Sequence, residues 1–332
     1  MQRDGRILRR LAGLLALVLA ALILHIAIGS TSSVSPWEIV RHLFAGPGGD
    51  GIASTIVWDI RLPRALGCLL VGATLSVVGA AFQALFRNPL AEPYVVGVSS
   101  GAAVGGTVVV VAGLGALAAG MATLVAGFIG GMASLGLVMA LARRRGVISV
   151  PTLLLAGVVV ASMLHAVLVL ALLMTQRNSE VLRWLMGSVT PMFWSRVAVL
   201  AIGLLVGGAL LYRQSRRLNA YAIGEAAAQH LGVELRYVRT IVLMAGTAMT
   251  AITVGACGVI GFLGLVAPHI VRKTFGPDLR VVLPGSALIG GVLLLLADLI
   301  AQRTVPGIEL PVGAVTAVLG APALLMLLKA RE

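Results

Sequence analysis

Asp298 is the one acidic residue deep in an apolar run of this 332-residue chain. An ionisable group at membrane depth costs several kcal/mol to bury and is a functional candidate by default, here for a proton or sodium site. The plainer reading is a structural pairing with backbone or with a neighbour such as Arg303 near the end of the run. Other chemistries are excluded more directly. The chain has two lysines, Lys273 after Arg272 and Lys329 after Leu328, so a G-x-x-x-x-G-K-[ST] phosphate loop cannot occur. No H-E-x-x-H is present, and His25, His42, His165, His230 and His269 are too scattered in sequence to suggest a site, so no metal centre is expected. Cys68 and Cys257 lie in apolar runs without a C-x-x-C partner, which points to packing.

Two segments look built for a purpose. Arg87-Asn88-Pro89-Leu90-Ala91-Glu92-Pro93 is a sharp break between apolar runs, because each proline denies helical continuation to the residue before it. The run LNAYAIGEAAAQHLG, from Leu218 to Gly232, is an alanine-rich helix candidate too polar to span a bilayer, with Gly232 as its stop. A surface helix of this kind lies on a membrane or docks into a partner's groove.

The elements that must position these residues are transmembrane helices. Hydrophobic residues make up 59% of the chain and charged ones 11%, far below the usual quarter for soluble domains, and the mean hydropathy is +1.04. About 20 apolar residues span the roughly 30 Å of hydrocarbon as helix, and the apolar runs predict about ten spans, near 8–29, 62–86, 94–113, 116–142, 150–174, 192–212, 236–256, 258–271, 281–301 and 312–329. The whole of 1–332 reads as one all-α transmembrane domain. The eighth run is too short for one regular crossing and carries Gly258, Gly261 and Gly264 before Pro268, so a broken element buried in protein is expected there.

A formal net charge of +13 would suggest nucleic acid in a soluble protein, but the arginines cluster between apolar runs. Arg3 to Arg10 precede an apolar stretch that reads as an uncleaved first span. With that end cytoplasmic, 18 of the 25 basic residues fall on the cytoplasmic side, leaving Arg41, Arg61, Arg64, Arg177, Arg183, Arg196 and Arg303 outside, so both termini are expected in the cytoplasm. On the outer side, Ser35-Pro36-Trp37-Glu38 reads as a capping box that starts a short amphipathic helix, and Trp37, Trp58, Trp184 and Trp194 fall near the same face. Gly97, Gly101 and Gly105, and Gly127 and Gly131, repeat at the spacing that lets helices pack closely.

Five ordered stretches carry a family likeness: RLPRAL from Arg61, GATLSVVGAAFQALFRNPLAEPYVVGVSSGA from Gly72, LNAYAIGEAAAQHLG from Leu218, GVIGFLGLVAPHIVR from Gly258 and ELPVGAVTAVLGAP from Glu309. Through them the chain resembles the iron-siderophore, haem and vitamin B12 permease family of ABC importers. The resemblance implies a type II importer permease fold in the bacterial inner membrane, acting as a homodimer with the pathway between its copies. Two separate ATPase subunits would hold ATP and Mg, and a periplasmic substrate-binding protein would deliver an iron chelate, either ferric siderophore or haem, with cobalamin the alternative. This subunit would bind no cofactor, metal or nucleic acid and would not itself be an enzyme. By the same likeness Asn219, Ala220, Tyr221, Gly224, Glu225, Ala228, Leu231 and Gly232 belong to a coupling helix, about 219–231, that meets the ATPase. Arg61, Arg64 and Arg303 would dock the binding protein. Asn88 and Leu90 would narrow the cytoplasmic end of the pathway, with Val150 at a second constriction whose local sequence ISVPT is poorer in hydroxyls than the family's. The reading from another class is a secondary transporter that uses Asp298.

Overall fold

The computed structural model describes residues 2–28, 35–47, 51–115, 117–144, 147–305 and 307–329. Each expected apolar run is a helix: α1 (Gln2–Ile28), α4 (Leu62–Phe86), α5 (Val98–Val111), α6 (Met121–Ala142), α7 (Val150–Met174), α9 (Trp194–Arg213), α12 (Leu235–Cys257), α13 (Leu263–Phe275), α14 (Leu279–Arg303) and α15 (Val312–Lys329). Shorter helices lie between them: α2 (Pro36–Ala45), α3 (Ile52–Thr55), α8 (Asn178–Leu185), α10 (Ser215–Ile223) and α11 (Glu225–His230). The chain passes from α3 to α4 through a π-helical turn, Ile56–Arg61. A two-residue antiparallel pairing, Arg143–Arg144 with Val147–Ile148, is the one ladder among the described residues.

The capping box on α2 forms as expected. Glu38 N–H donates to Ser35 Oγ at 3.3 Å and Ser35 N–H donates to Glu38 Oε2 at 2.9 Å. The Ser35 backbone N–H, helped by the Ser35 hydroxyl donating at 3.1 Å, holds the exposed Glu38 carboxyl below the usual range. Two of the starts that differ from expectation have a visible local cause. α5 begins at Val98 because Pro93–Val96 makes a single tight turn and Gly97, at φ +75°, breaks the direction. α6 begins at Met121 after a similar turn, Leu117–Gly120.

α4 is the centre of the bundle, packed by α9, α12, α13 and α14. Of the most apolar stretch of the helix containing it, 83% is buried, against 28% for α7 and for α9, which leaves those two helices for lipid or a partner. With no hydrophobic drive between helices in lipid, contact rests on close packing. A Cβ on Gly72 would lie 2.2 Å from the carbonyl oxygen of Gly290, so α4 and α14 touch backbone to backbone. Gly101 and Gly105 do the same work between α5 and α6, against the carbonyls of Gly130 and Ala126, while Gly127 and Gly131 of the second repeat meet Gly255 and Ala251 of α12.

Candidate functional site

Three sites emerge, one at each end of the bundle and one within it. At the end where α4 begins, Arg64 lies 7% exposed. Its Nε and Nη2 donate to the two carboxylate oxygens of Asp298 at 2.9 and 3.0 Å, and its Nη1 donates to Glu309 at 3.0 and 3.1 Å. Asp298 also accepts from Gln302 Nε2 at 2.7 Å and lies 2.8 Å from His25 Nε2. That imidazole nitrogen must carry the proton, since a carboxylate in this state only accepts. The expected pairing of Asp298 with Arg303 is therefore corrected: Arg303 donates instead to the carbonyl of Ile28. The helix geometry explains it, because Asp298 points inward toward α4, one turn above Gln302 on the same face, while Arg303 is exposed. Arg61 is buried as well, its Nη1 donating to the carbonyls of Ile26 and Ala27 at 2.8 and 3.1 Å. Thus Arg61 and Arg303 converge on the last turn of α1, where unpaired helical carbonyls attract cations, while Arg64 is linked to that turn through Asp298, which His25 also meets.

His25, Cys68 and Asp298 bring possible ligand atoms within 4.8 Å of one another. Arg64 already supplies the positive charge that a cation would bring, and it occupies both oxygens of Asp298. The same saturation removes the basis for Asp298 as an ion-coupling site. His25 was missed in the sequence because it lies 273 residues from Asp298; Gln302, one turn along the same helix, was the available signal.

Inside the bundle, the proline-bounded loop folds back between the helices. Arg87, at φ +48°, ends α4, and Asn88 Oδ1 accepts from Leu90 N–H at 2.9 Å, so the two residues form one turn with both side chains exposed. Val150 stands elsewhere, in the first turn of α7, after the N-cap Ser149. Beyond Leu90 the loop is fixed to the broken span: Glu92 Oε1 accepts from Phe262 N–H at 2.9 Å, and Tyr94 Oη donates to the carbonyl of Ile260. Phe262 sits at φ +68° before the 13 residues of α13, which reach only about 20 Å at 1.5 Å per residue. The expected broken element is thus Gly258 to α13, its free backbone groups met by Glu92, Tyr94 and Gln83, whose Nε2 donates to Gly264 O at 2.8 Å.

At the opposite end from Arg64, the expected single helix over Leu218–Gly232 is two helices, α10 and α11, because Gly224 (φ +153°, ψ +152°) turns the chain between them. Glycine alone adopts such a conformation freely. The predicted stop at Gly232 is present, with Gly232 N–H donating to Gln229 O and Val233 N–H to Ala228 O, the paired bonds of a Schellman end. Tyr221 and Ala228 are buried, while Ile223 and Leu231 are 75% and 68% exposed, an apolar edge outside the helical core. Asn219, Ala220, Gly224 and Glu225 are half-buried.

Two anchors hold this segment. Arg239 of α12 donates through Nη2 to Tyr221 Oη at 2.7 Å and Glu225 Oε1 at 3.1 Å, and the Tyr221 hydroxyl donates to Glu225 at 2.7 Å. Burial pushes the Tyr221 hydroxyl up from its ordinary value, keeping it a donor. On the other side Asn219 donates to Asp278 Oδ1 at 2.8 Å and accepts from Leu279 N–H at 2.9 Å, at the start of α14. The hydrogen bond from Arg280 holds the Asp278 carboxyl down at about 2.

A bundle of about ten apolar helices with a folded-back loop, a broken span and a surface helix pair anchored to two spans defines a multi-pass membrane permease. The model of the FecCD transport family matches residues 17–330, and the chain belongs to that family. It is 40% identical to the uncharacterised ABC transporter permease protein YvrB of Bacillus subtilis over 93% of this chain and 90% of that one. It is 38% identical to the vitamin B12 import system permease protein BtuC of Citrobacter koseri over 100% and 97%, and 39% identical to the cobalamin import system permease protein BtuC of Halobacterium salinarum over 92% and 83%. Among solved structures, a metal-chelate type ABC transporter in an inward-facing conformation superposes with a TM-score of 0.86 at 29% identity, covering 97% of this chain and 99% of that one. This chain is accordingly the permease subunit of an ABC importer, and ATP hydrolysis belongs to separate subunits.

Proposed function

We propose that this subunit forms a homodimer in the bacterial inner membrane, as a single transmembrane domain with both termini cytoplasmic. The dimer imports a metal chelate from the periplasm by alternating access, driven by two ATPase subunits that hold ATP and Mg. The observation that carries this reading is the α10–α11 pair, whose exposed Ile223 and Leu231 offer a groove-filling edge while Tyr221, Glu225 and Asn219 bind it to α12 and α14. A push on that edge reaches two transmembrane helices directly. At the other end Arg303 is exposed beside the buried Arg61 and Arg64, a cationic face suited to an acidic binding protein, where charge steers encounter and register. Asn88, Leu90 and Val150 are the proposed gate at the cytoplasmic end.

For the cargo, relatives named for cobalamin and vitamin B12 at 38–39% identity support a corrinoid. The likeness to a metal-chelate type transporter supports the wider class, iron chelates included. Uptake of labelled cobalamin, ferric siderophore and haem by proteoliposomes holding the permease with its ATPase and binding protein distinguishes them. We expect ATP-dependent uptake of one chelate and none without ATP. Uptake driven by an ion gradient alone would overturn the reading. In the same system Glu225→Ala should keep the complex assembled and cut cargo moved per ATP at least tenfold. An unchanged ratio would remove the coupling role from α11.

A further inference from the structure

The two ends of this molecule are fastened to the same helix. At its cytoplasmic end, Asn219 of the coupling pair makes two hydrogen bonds to the start of α14, one with Asp278 and one with Leu279 N–H. At its outer end, Asp298 of α14 takes both the Nε and Nη2 of Arg64, with Gln302 and His25 completing its shell. Twenty residues separate Asp278 from Asp298, which at 1.5 Å per residue is about 30 Å, the full thickness of the hydrocarbon. Between these points α14 has no room to bend toward α4: Gly290 meets the backbone of Gly72, and a Cβ on either residue would lie within 2.4 Å of the other's carbonyl oxygen. Pro284 sits in the second turn, so any kink is confined to the cytoplasmic end, and Gly285 beside it is buried against Val271 of α13.

We propose that α14 is the rod through which the ATPase contact and the binding-protein contact sense each other, with Asn219 and Asp298 as the positioning residues that fasten its two ends. This rests on the coupling and docking roles proposed above. A shift of the α10–α11 pair pulls Asp278, and because α14 is locked to α4 it displaces Arg64 and, with it, Glu309. The Arg64 guanidinium is thereby offered to or withdrawn from a partner carboxylate, for which Glu309, 38% exposed in its side chain, is the internal stand-in. Such coupling is reciprocal: nucleotide on the ATPase changes binding-protein affinity by the factor by which binding protein changes nucleotide affinity. A helix that only supported the fold would alter stability without altering that factor.

The test is the affinity of the binding protein for the full complex in nanodiscs, with and without ATP bound to a hydrolysis-deficient ATPase. The wild-type complex should show a ratio of at least about fivefold between the two conditions; a wild-type ratio of one would overturn the docking and coupling reading itself. Given that ratio, Asn219→Ala should bring it to within twofold of one. Asn219→Asp sets two carboxylates against each other and should do the same, whereas Asn219→Asp combined with Asp278→Asn exchanges acceptor and donor and should restore it. A full ratio in Asn219→Ala, or no recovery in the exchanged pair, would overturn the rod while leaving the functional reading intact.

Discussion

The buried network around Asp298 gives a prediction in which stability and function separate. Arg64 and Asp298 have side chains 9% and 2% exposed. Breaking such a pair by removing one partner leaves an uncompensated charge and costs about 3–5 kcal/mol, whereas replacing both by apolar residues of similar volume is often neutral or stabilising by about 1–4 kcal/mol. The two single substitutions should differ. Asp298→Leu leaves Arg64 its two bonds to the half-exposed Glu309 and falls near the lower figure. Arg64→Leu leaves Asp298 only His25 and Gln302 and falls near the upper. Combining Arg64→Met with Asp298→Leu should recover most of the loss. Reversible unfolding in mixed detergent micelles measures all three, and binding-protein affinity is read on the same samples. We expect the double variant to be as stable as wild type within about 1 kcal/mol and to bind the partner at least tenfold more weakly. Single variants within about 0.5 kcal/mol of wild type, the scale of ordinary surface substitutions, would refute the buried-pair argument. A double variant that binds normally would show that Arg64 has no docking role.

Gly72→Ala forces the Gly290 carbonyl away from α4 and should destabilise the subunit by about 1–3 kcal/mol, the usual range for overpacking; a thermal midpoint equal to wild type in detergent would contradict the backbone contact. Asp278, with its carboxyl held at about 2 against an ordinary 3.8, contributes stability that is fully present above about pH 4 and is lost as the pH falls through about 2. Asp278→Asn should flatten the difference in stability between pH 5 and pH 2.5, and an unchanged slope would show that the carboxylate is not held by Arg280.

The span count was legible because most of the apolar runs are long and bounded by arginine clusters or proline, the exceptions being the glycine-marked boundaries near 113–116 and 256–258. The α2 capping box was legible because its four residues are contiguous. The same holds for the broken span, whose glycines and Pro268 stand within one run. Long-range polar pairing was not legible. Nothing local in the sequence joins His25 to Asp298, or Arg64 to Glu309, 245 residues on, since pairing across a helix bundle leaves no periodic trace. The break at Gly224 was hidden for a different reason: alanines on both sides favour helix, and a lone glycine inside a helical pattern is tolerated by a continuous helix as well as by a broken one, so only its observed backbone conformation (φ +153°) separates the two.

That difference bears on how the machine is built. The contiguous motifs mark surfaces where partners of this subunit would act, the α10–α11 edge and the arginine face, and these can be read one at a time. The links behind the surfaces are a few polar contacts between separate helices, Asn219 with the start of α14, Arg239 with Tyr221 and Glu225, and Arg64 with Asp298. In lipid, where apolar packing does not distinguish one helix arrangement from another, such contacts are strong enough to select a position and few enough to be exchanged. Where two helices meet glycine to backbone, as α4 and α14 do at Gly72 and Gly290, neither has room to shift toward the other, so a displacement at one end would be carried along both.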